Sequence, residues 1–467
     1  MITITEELPM KSEYISPNAT RALPVPTLAT TTLATTTLAT TTLATTTLAT
    51  TTLAVLTVPA LTLIVLTLVA FTLTTPAFGE DWAQWRGPNR DAKSKETGLL
   101  ETWPEDGPPL AWKVTGVGGG YSSIAIAKGR IFTMGDLDDG SYVIVLNESD
   151  GTPIWKTRIG EAGGHKRYPG PRGTPTIDDG EVFVLNQYSD LACLNAEDGT
   201  MNWSVNLVDQ YGGKMMSGWK YSESLLIDGD QVICTPGGTD GTLLALNRKT
   251  GETLWQTDGW TDPAGYSSVI TVTIDGTRQY VQLTGKSVAG IDPDSGTVLW
   301  HADREGKTAV ISTPIVQENT VFVTSGYGIG CNAFRVTKNG ASWQAEQLYA
   351  NKDITNHHGG VVLLDGYIYG SSGGTFRCLD LASGELAYAG RSAGKGATVY
   401  ADGHLYLRSE AGPVALIEAT PTELVEKSRF DQPDRSEEKA WPHPVIANGK
   451  LYLRDQDILL CYDVKKN

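Results

Sequence analysis

A unit of about 45 residues repeats along the chain from residue 110 onward, and this repeat limits the fold more than any other feature of the sequence. Its clearest copies end in a tryptophan and read LNESDGTPIW, LNAEDGTMNW, LNRKTGETLW and IDPDSGTVLW. Each copy places an Asn or Asp, and then a Gly, ahead of the tryptophan. Apolar alternation surrounds this turn, so each copy predicts two strands joined by a tight reversal that needs positive φ.

Two further strand-like runs precede each copy, as in YSSIAIA and RIFTMG. Four short strands in each unit are typical of a β-propeller blade. Seven units are complete, and the C-terminal segment HPVIANGKLYLRDQDILLCYDV supplies three strands of another. The segment LAWKV, at residues 110–114, supplies the missing fourth strand. We therefore predict an all-β, eight-bladed β-propeller with four-stranded antiparallel blades, closed by N- and C-terminal strands in one blade. A seven-bladed ring is the alternative, because the copy at Val425 is degenerate.

The tryptophan of each unit is predicted to pack between adjacent blades, where a large flat ring buries the most apolar surface. The residues predicted for this position are Trp112, Trp155, Trp203, Trp255, Trp300 and Trp343. Tyr388 and Val425 take the position in the two remaining copies.

The first 79 residues lack this repeat. Residues 27–54 repeat the unit TLATT, whose period of five matches neither a helix nor a strand. An apolar run without charge follows from Leu53 to Leu73, and the small residues Ala77 and Gly79 resemble the exit of a signal peptide. The sequence predicts a leader with a signal peptide or membrane anchor at 1–79, an N-terminal extension at 80–109 and the propeller at 110–467. The protein is expected to be exported, either periplasmic or associated with the cell envelope, with membrane contact only through an uncleaved N-terminal segment.

Charge and cysteine content exclude several classes of protein. The formal net charge is −16, and such a field repels phosphate backbones, so no nucleic-acid partner is expected. The five cysteines include no CxxC or adjacent pair, which excludes zinc ribbons, redox dithiols and attached c-type haem as local motifs. Four of them lie in apolar strand-like runs and are predicted to be small core residues.

Loops at one face of the predicted ring concentrate cations, histidines and aromatic residues. These are the loops that precede each innermost strand, together with those between second and third strands. They predict an axial funnel for an anionic or polyhydroxylated ligand, with Arg giving bidentate contacts and aromatic rings giving stacking. The candidate ligand-binding residues are Arg172, Trp219, Lys220, His357, His358, Lys395 and His443.

The sequence assigns no catalytic residue and no metal site. No GxSxG, HExxH or P-loop occurs. His357 and His358 are adjacent, and adjacent residues on a strand point to opposite sides. We therefore expect one of the two to face the axis and the other to pack or to bond to backbone.

The [LI]-[ND]-x3-G-x3-W units resemble the repeats of quinoprotein (PQQ-type) β-propellers, and the resemblance spans residues 110–467. The stretch DWAQWRGPNRDA at 81–92 further resembles the leader of exported PQQ-like propeller proteins of planctomycete-type bacteria, often labelled alcohol dehydrogenase-like. The family includes PQQ-dependent alcohol dehydrogenases and non-enzymatic propellers such as the lipoprotein of the outer-membrane barrel-assembly machine. For an enzyme, the resemblance implies PQQ with Ca²⁺, a Trp and a vicinal disulfide stacking on the quinone, and an Asp base. No adjacent cysteines occur in this sequence, and no cofactor is assigned.

The leading hypothesis is an exported PQQ-like propeller that serves as a ligand-binding or assembly scaffold, with an envelope protein or a small polyhydroxylated or anionic ligand as partner. The alternatives are a PQQ- and Ca²⁺-dependent alcohol or sugar dehydrogenase and a polysaccharide-binding propeller.

Overall fold

The structure, a computed structural model, describes residues 80–466. The leader predicted at residues 1–79 lies outside the described residues. Eight four-stranded antiparallel sheets make up the described part, together with a two-stranded ribbon and one short helix. Within residues 80–466, no helix has the length and apolar content needed to cross a membrane.

The eight sheets are the blades of a propeller, and the first strands of successive blades contact one another from blade 1 to blade 3 and from blade 6 to blade 8. Blades 1–4 comprise, from the axis outward, β2 (Ala125–Ala127), β3 (Arg130–Leu137), β4 (Gly140–Asn147), β5 (Pro153–Gly160); β8 (Thr176–Asp178), β9 (Glu181–Leu185), β10 (Asp190–Asn195), β11 (Met201–Asn206); β12 (Leu226–Asp228), β13 (Gln231–Cys234), β14 (Leu244–Asn247), β15 (Thr253–Gln256); and β16 (Ile270–Ile274), β17 (Thr277–Leu283), β18 (Ser287–Ile291), β19 (Val298–Asp303). Blades 5–8 comprise, in the same order, β20 (Ile315–Gln317), β21 (Thr320–Ser325), β22 (Gly330–Asn339), β23 (Ser342–Asn351); β24 (Val362–Leu364), β25 (Tyr367–Ser372), β26 (Thr375–Asp380), β27 (Leu386–Arg391); β28 (Gly396–Ala401), β29 (His404–Ser409), β30 (Val414–Glu418), β31 (Glu426–Phe430); and β32 (Val445–Ala447), β33 (Lys450–Asp455), β34 (Ile458–Asp463), β1 (Leu110–Thr115). The remaining elements are β6 (Gly164–His165), β7 (Tyr168–Pro169) and α1 (Leu207–Tyr211).

Middle strands carry the core. Every residue of β9 and of β18 is buried, because both faces of a blade pack against its neighbours. The outermost strands alternate between exposed and partly buried residues, as β5 and β11 do. All five cysteines of the chain lie in the described part, where each is buried and unpaired, as the apolar runs predict for four of them.

The ring closes as the sequence predicts. β1 pairs antiparallel with β34, and Trp112 lies opposite Cys461. The Trp112 ring packs 6.1 Å from that of Tyr452 in β33. The N-terminal strand therefore completes blade 8, which leaves no open gap between the first and last blades.

A β-bulge between the third and fourth strands marks the same point in every blade. The residue at this point is the repeat tryptophan in blades 1–4 and 8. Trp155, for example, pairs with Val145, and its indole Nε1 donates to Ala196 O of blade 2 at 3.2 Å. The bulge therefore sets the ring against the turn of the next blade.

Two tryptophan positions differ from the prediction. In blade 5 the residue at the bulge is Tyr349, and its hydroxyl donates to Leu381 O of blade 6 at 2.8 Å. Trp343 instead pairs with Lys338 near the end of the hairpin. β22 and β23 have ten residues each, so the turn lies farther from the bulge than in the other blades. In blade 7 the position belongs to Ser428 and not to Val425, which lies before β31.

The N-terminal extension lies along the axis. Trp82 bridges to Ile126 in blade 1, and Lys93 bridges to Tyr400 in blade 7. Arg86 donates to Val361 O beside blade 6 at 2.6 Å, and Arg90 donates to Leu225 O beside blade 3 at 2.9 Å. Because these partners adjoin innermost strands on different sides of the ring, the extension occupies the axis. Burial lowers the pKa of both guanidiniums to about 10, so both remain charged at neutral pH.

Candidate functional site

A cavity of about 280 Å³ lies on the axis. It is at the end of the ring formed by the loops that precede the innermost strands. In the part of the chain that the structure describes, its wall combines aromatic rings, cations and histidines with a single carboxylate. The residues of these kinds that line it are Trp85, Tyr121, Tyr168, Trp219, Tyr266, Tyr327, Trp441; Arg167, Arg172, Lys395, Lys439; His357, His358, His443; and Glu410.

Aromatic residues from distant parts of the chain form one packed wall. The Trp441 ring lies 4.6 Å from Tyr168 and 4.8 Å from Tyr121. Trp85, from the N-terminal extension, lies 4.4 Å from the His443 ring, and its Nε1 donates to Thr313 Oγ1 at 3.1 Å. The extension therefore supplies one side of the cavity as well as filling the axis.

Arg172 has an incomplete set of hydrogen-bond partners. One guanidinium nitrogen, Nη2, donates to Tyr168 O at 2.5 Å. The other, Nη1, is buried and has no hydrogen-bond partner among the described residues. Burial lowers the pKa of Arg172. An unsatisfied buried guanidinium nitrogen is costly, so an acceptor on a bound ligand would stabilise it.

The three histidines are neutral at pH 7. Burial, reinforced by the nearby Lys395, lowers the pKa of His357 to about 4. Burial also lowers the pKa of His358 well below its usual value, and that of His443 to about 3 with a contribution from Arg86. His443 Nε2 donates to His358 O at 2.9 Å, which fixes the position of both residues.

His357 and His358 do not point to opposite sides. Both line the cavity, and their Nδ1 atoms are 3.1 Å apart. The expectation of opposite directions assumed an extended strand, whereas the pair lies in the loop between β23 and β24. Buried Asn356 shapes this loop by donating to Gly360 O and Ser371 O, both at 3.0 Å.

Glu410 is the only carboxylate among the described residues that line the cavity. Its Oε2 lies 3.1 Å from Lys395 Nζ, and Lys439 Nζ lies 3.8 Å from Oε1. Trp441 Nε1 donates to Oε2 at 3.1 Å. Burial alone would raise the pKa of Glu410, but this hydrogen bond and Lys395 outweigh it and lower the pKa.

Six of the seven residues predicted to bind a ligand line this cavity: Arg172, Trp219, His357, His358, Lys395 and His443. Lys220 is not among the lining residues, and its Nζ lies 5.3 Å from the centre of the Tyr188 ring. Sequence reasoning missed Tyr121 and Tyr266, although both begin a Tyr-Ser pair at the same point of their repeats. Trp85 lies outside the repeats, and the repeat pattern held no signal for it.

Comparison with known proteins gives a consistent picture. The family model described as outer membrane protein assembly factor BamB matches residues 104–219 and 139–390. BamB of Salmonella typhimurium is 31% identical over 113 residues, covering 24% of this chain and 28% of that protein. A quinoprotein ethanol dehydrogenase of Pseudomonas aeruginosa is 29% identical over 163 residues, covering 32% of this chain and 25% of that protein.

The crystal structure of BamB from Moraxella catarrhalis superposes with a TM-score of 0.51 at 17% identity, covering 72% of this chain and 94% of that one. The match to each of the two curated relatives spans only about a quarter of its length. The structural likeness confirms the propeller fold. The family model matches more than half of this chain. The chain therefore belongs to the BamB-type family of PQQ-like propeller repeat proteins.

Proposed function

We propose that this chain is an exported binding scaffold of the cell envelope, and that its axial cavity holds a small anionic ligand with a planar or polyhydroxylated body. The observation that carries the proposal is the buried, unpartnered Nη1 of Arg172 in a cavity lined by aromatic rings.

Charge in the cavity favours an anion. Two of its four cations, Lys395 and Lys439, lie beside Glu410. Arg167 and Arg172 have no carboxylate within salt-bridge distance in the described part of the chain, and each lies near a tyrosine ring. A carboxylate or phosphate on a ligand would compensate this charge, and Arg is well suited to bidentate contact with either.

The aromatic wall favours a flat or sugar-like body. Tyr121, Tyr168 and Trp441 lie against one another, and all three line the cavity. Sites for small molecules are typically apolar clefts with a few polar groups that fix orientation. A cavity of about 280 Å³ suits one small molecule better than a folded protein segment.

An envelope location and an envelope protein as partner are part of the proposal. The apolar leader before residue 80 supports export. Relatives named for outer membrane protein assembly support a scaffold role. The polysaccharide-binding alternative differs only in expecting a neutral sugar chain in place of an anion.

The described cavity residues do not fit PQQ bound with Ca²⁺. Calcium takes six to eight oxygen ligands, whereas this lining offers one carboxylate, and that group is held between two lysines. No aspartate lines the cavity in the described part, and no adjacent cysteines occur in the sequence. We therefore derive no dehydrogenase step.

The proposal is tested by titration calorimetry with PQQ, used as a planar polycarboxylate probe, and with citrate and a neutral oligosaccharide. We expect PQQ to bind without a calcium requirement and at least tenfold more weakly to Arg172→Gln. The control is Arg335→Gln, because Arg335 is exposed on β22 and far from the axial loops in the blade. Binding of only the neutral sugar, or no binding at all, would overturn the anionic ligand. Calcium-dependent binding with alcohol-driven dye reduction would support the dehydrogenase instead.

A further inference from the structure

Three side chains of the cavity bring metal-binding atoms together. One nitrogen each of His357 and His358 and one carboxylate oxygen of Glu410 lie within 4.8 Å of one another. We propose that these three residues bind a divalent transition-metal ion of the Zn²⁺ type, with one coordination position open to the cavity.

Distances between the donor atoms fit such an ion. The two Nδ1 atoms are 3.1 Å apart, and His358 Nδ1 lies 3.9 Å from Glu410 Oε2. Donors bonded at about 2.0–2.2 Å to a tetrahedral ion lie roughly 3.3–3.6 Å from one another. These two separations are within about 0.5 Å of this geometry. The third, between His357 and Glu410, is bounded only by the 4.8 Å within which all three donor atoms lie, so binding needs side-chain rotation that brings the carboxylate closer.

The ligand types select the class of metal. Two imidazoles and one carboxylate suit Zn²⁺, Ni²⁺ or Cu²⁺, whereas Ca²⁺ and Mg²⁺ prefer sites made of oxygen atoms. Three protein ligands with an open position are typical of sites where a metal meets a small molecule. Since all three residues line the cavity, the open position faces its interior.

Neighbouring groups hold the ligands in place. His357 Nε2 is hydrogen-bonded to the Tyr327 hydroxyl at 2.9 Å, and Trp441 Nε1 donates to Glu410 Oε2 at 3.1 Å. Such outer hydrogen bonds orient metal ligands and fix which imidazole nitrogen is free. With Tyr327 on Nε2, the Nδ1 of His357 is left to face His358.

Lys395 competes with the metal. Its Nζ lies 3.1 Å from Glu410 Oε2, so an ion must displace this ammonium group or share the carboxylate with it. Removing the lysine charge should therefore strengthen metal binding, whereas removing a ligand should weaken it. A general electrostatic effect on a cation would give the same signs for Glu410→Gln and Lys395→Gln. Weaker binding in His357→Gln, which removes a donor nitrogen and no negative charge, therefore separates a metal site from such an effect.

The test is a titration of chelator-treated, purified protein with Co²⁺, followed by visible absorption, and then displacement with Zn²⁺ followed by calorimetry. We expect one ion per chain, with affinity falling at least tenfold in His357→Gln and in Glu410→Gln. Lys395→Gln should bind several-fold more tightly. The control is His301→Gln, because His301 is exposed on the outer strand β19 and should leave binding unchanged. Circular dichroism establishes that each variant is folded.

Absence of Co²⁺ and Zn²⁺ binding by the folded wild-type protein would overturn the proposal. So would equal affinity in His357→Gln, an equal loss in His301→Gln, or weaker binding in Lys395→Gln. The anionic ligand is tested separately, by titration of PQQ into the chelator-treated protein. Failure of one proposal therefore does not decide the other.

Discussion

Glycine in the repeat turn allows the tryptophan of the preceding blade to pack against the turn, and Gly199→Ala tests this reasoning. Gly199 has φ of +74°, and a Cβ there would lie 2.5 Å from Trp155 Cε3 and 2.7 Å from Thr157 Oγ1. The left-handed conformation costs a residue with a Cβ about 1–2 kcal/mol. Crowding of a packed contact costs roughly a further 1–3 kcal/mol, so the total loss in free energy of unfolding should be about 2–5 kcal/mol.

Gly180→Ala is the matched control. Gly180 has φ of +79° but no atom lies within 4 Å of its Cβ position, so its substitution costs only the backbone contribution, about 1–2 kcal/mol. Urea unfolding of both variants measures the difference. In a Trp155→Ala background, the cost of Gly199→Ala should fall, since the ring is gone. It should stay above that of the control, because Thr157 Oγ1 still lies 2.7 Å from the Cβ position. Equal losses for the two glycine variants in the wild-type background would refute the contact between blades as the reason for the repeat glycine.

Two further predictions follow from the fold and the cavity. Tyr349→Ala should lower the free energy of unfolding by about 1–2 kcal/mol more than Trp343→Ala, because only Tyr349 lies at the bulge and bonds to the next blade. Urea unfolding measures this difference, and a larger loss for Trp343→Ala would contradict it. The free energy of unfolding should also fall as the pH drops from about 6.5 toward 4, because an unfolded histidine takes up a proton near pH 6.5 whereas folded His357 does so only at about 4 and His443 at about 3. Each such histidine contributes up to about 1.4 kcal/mol per pH unit to the slope of the free energy of unfolding against pH. In His443→Gln, the urea midpoint should therefore change less steeply with pH, and an unchanged slope would show that His443 is not buried in its neutral form.

The sequence was sufficient to predict the propeller because a blade is a local unit. The sequence of one repeat is enough to identify the turn glycines and the alternation of each strand. Comparison of the two ends of the chain identifies the displaced strand around Trp112. The errors at Trp343 and Val425 arose where hairpin length varies, because counting from the turn no longer locates the bulge.

The cavity was predicted only in part. Loop position predicted that Arg172, Trp219 and Lys395 line the cavity, because each type of loop in a blade lies at a fixed end of the ring. Lys220, which follows Trp219 directly, lies against Tyr188 instead, and side-chain direction within a loop depends on packing that no local pattern encodes. The contribution of Trp85 required the path of the extension along the axis, which is a tertiary feature.

The most direct test of the central claim is a crystal structure of the protein with PQQ as the planar polycarboxylate probe. We expect ligand density in the axial cavity, beside Trp441 and with an acidic oxygen that accepts a hydrogen bond from Arg172 Nη1. Density elsewhere on the protein, or a cavity that stays empty at saturating ligand, would contradict it.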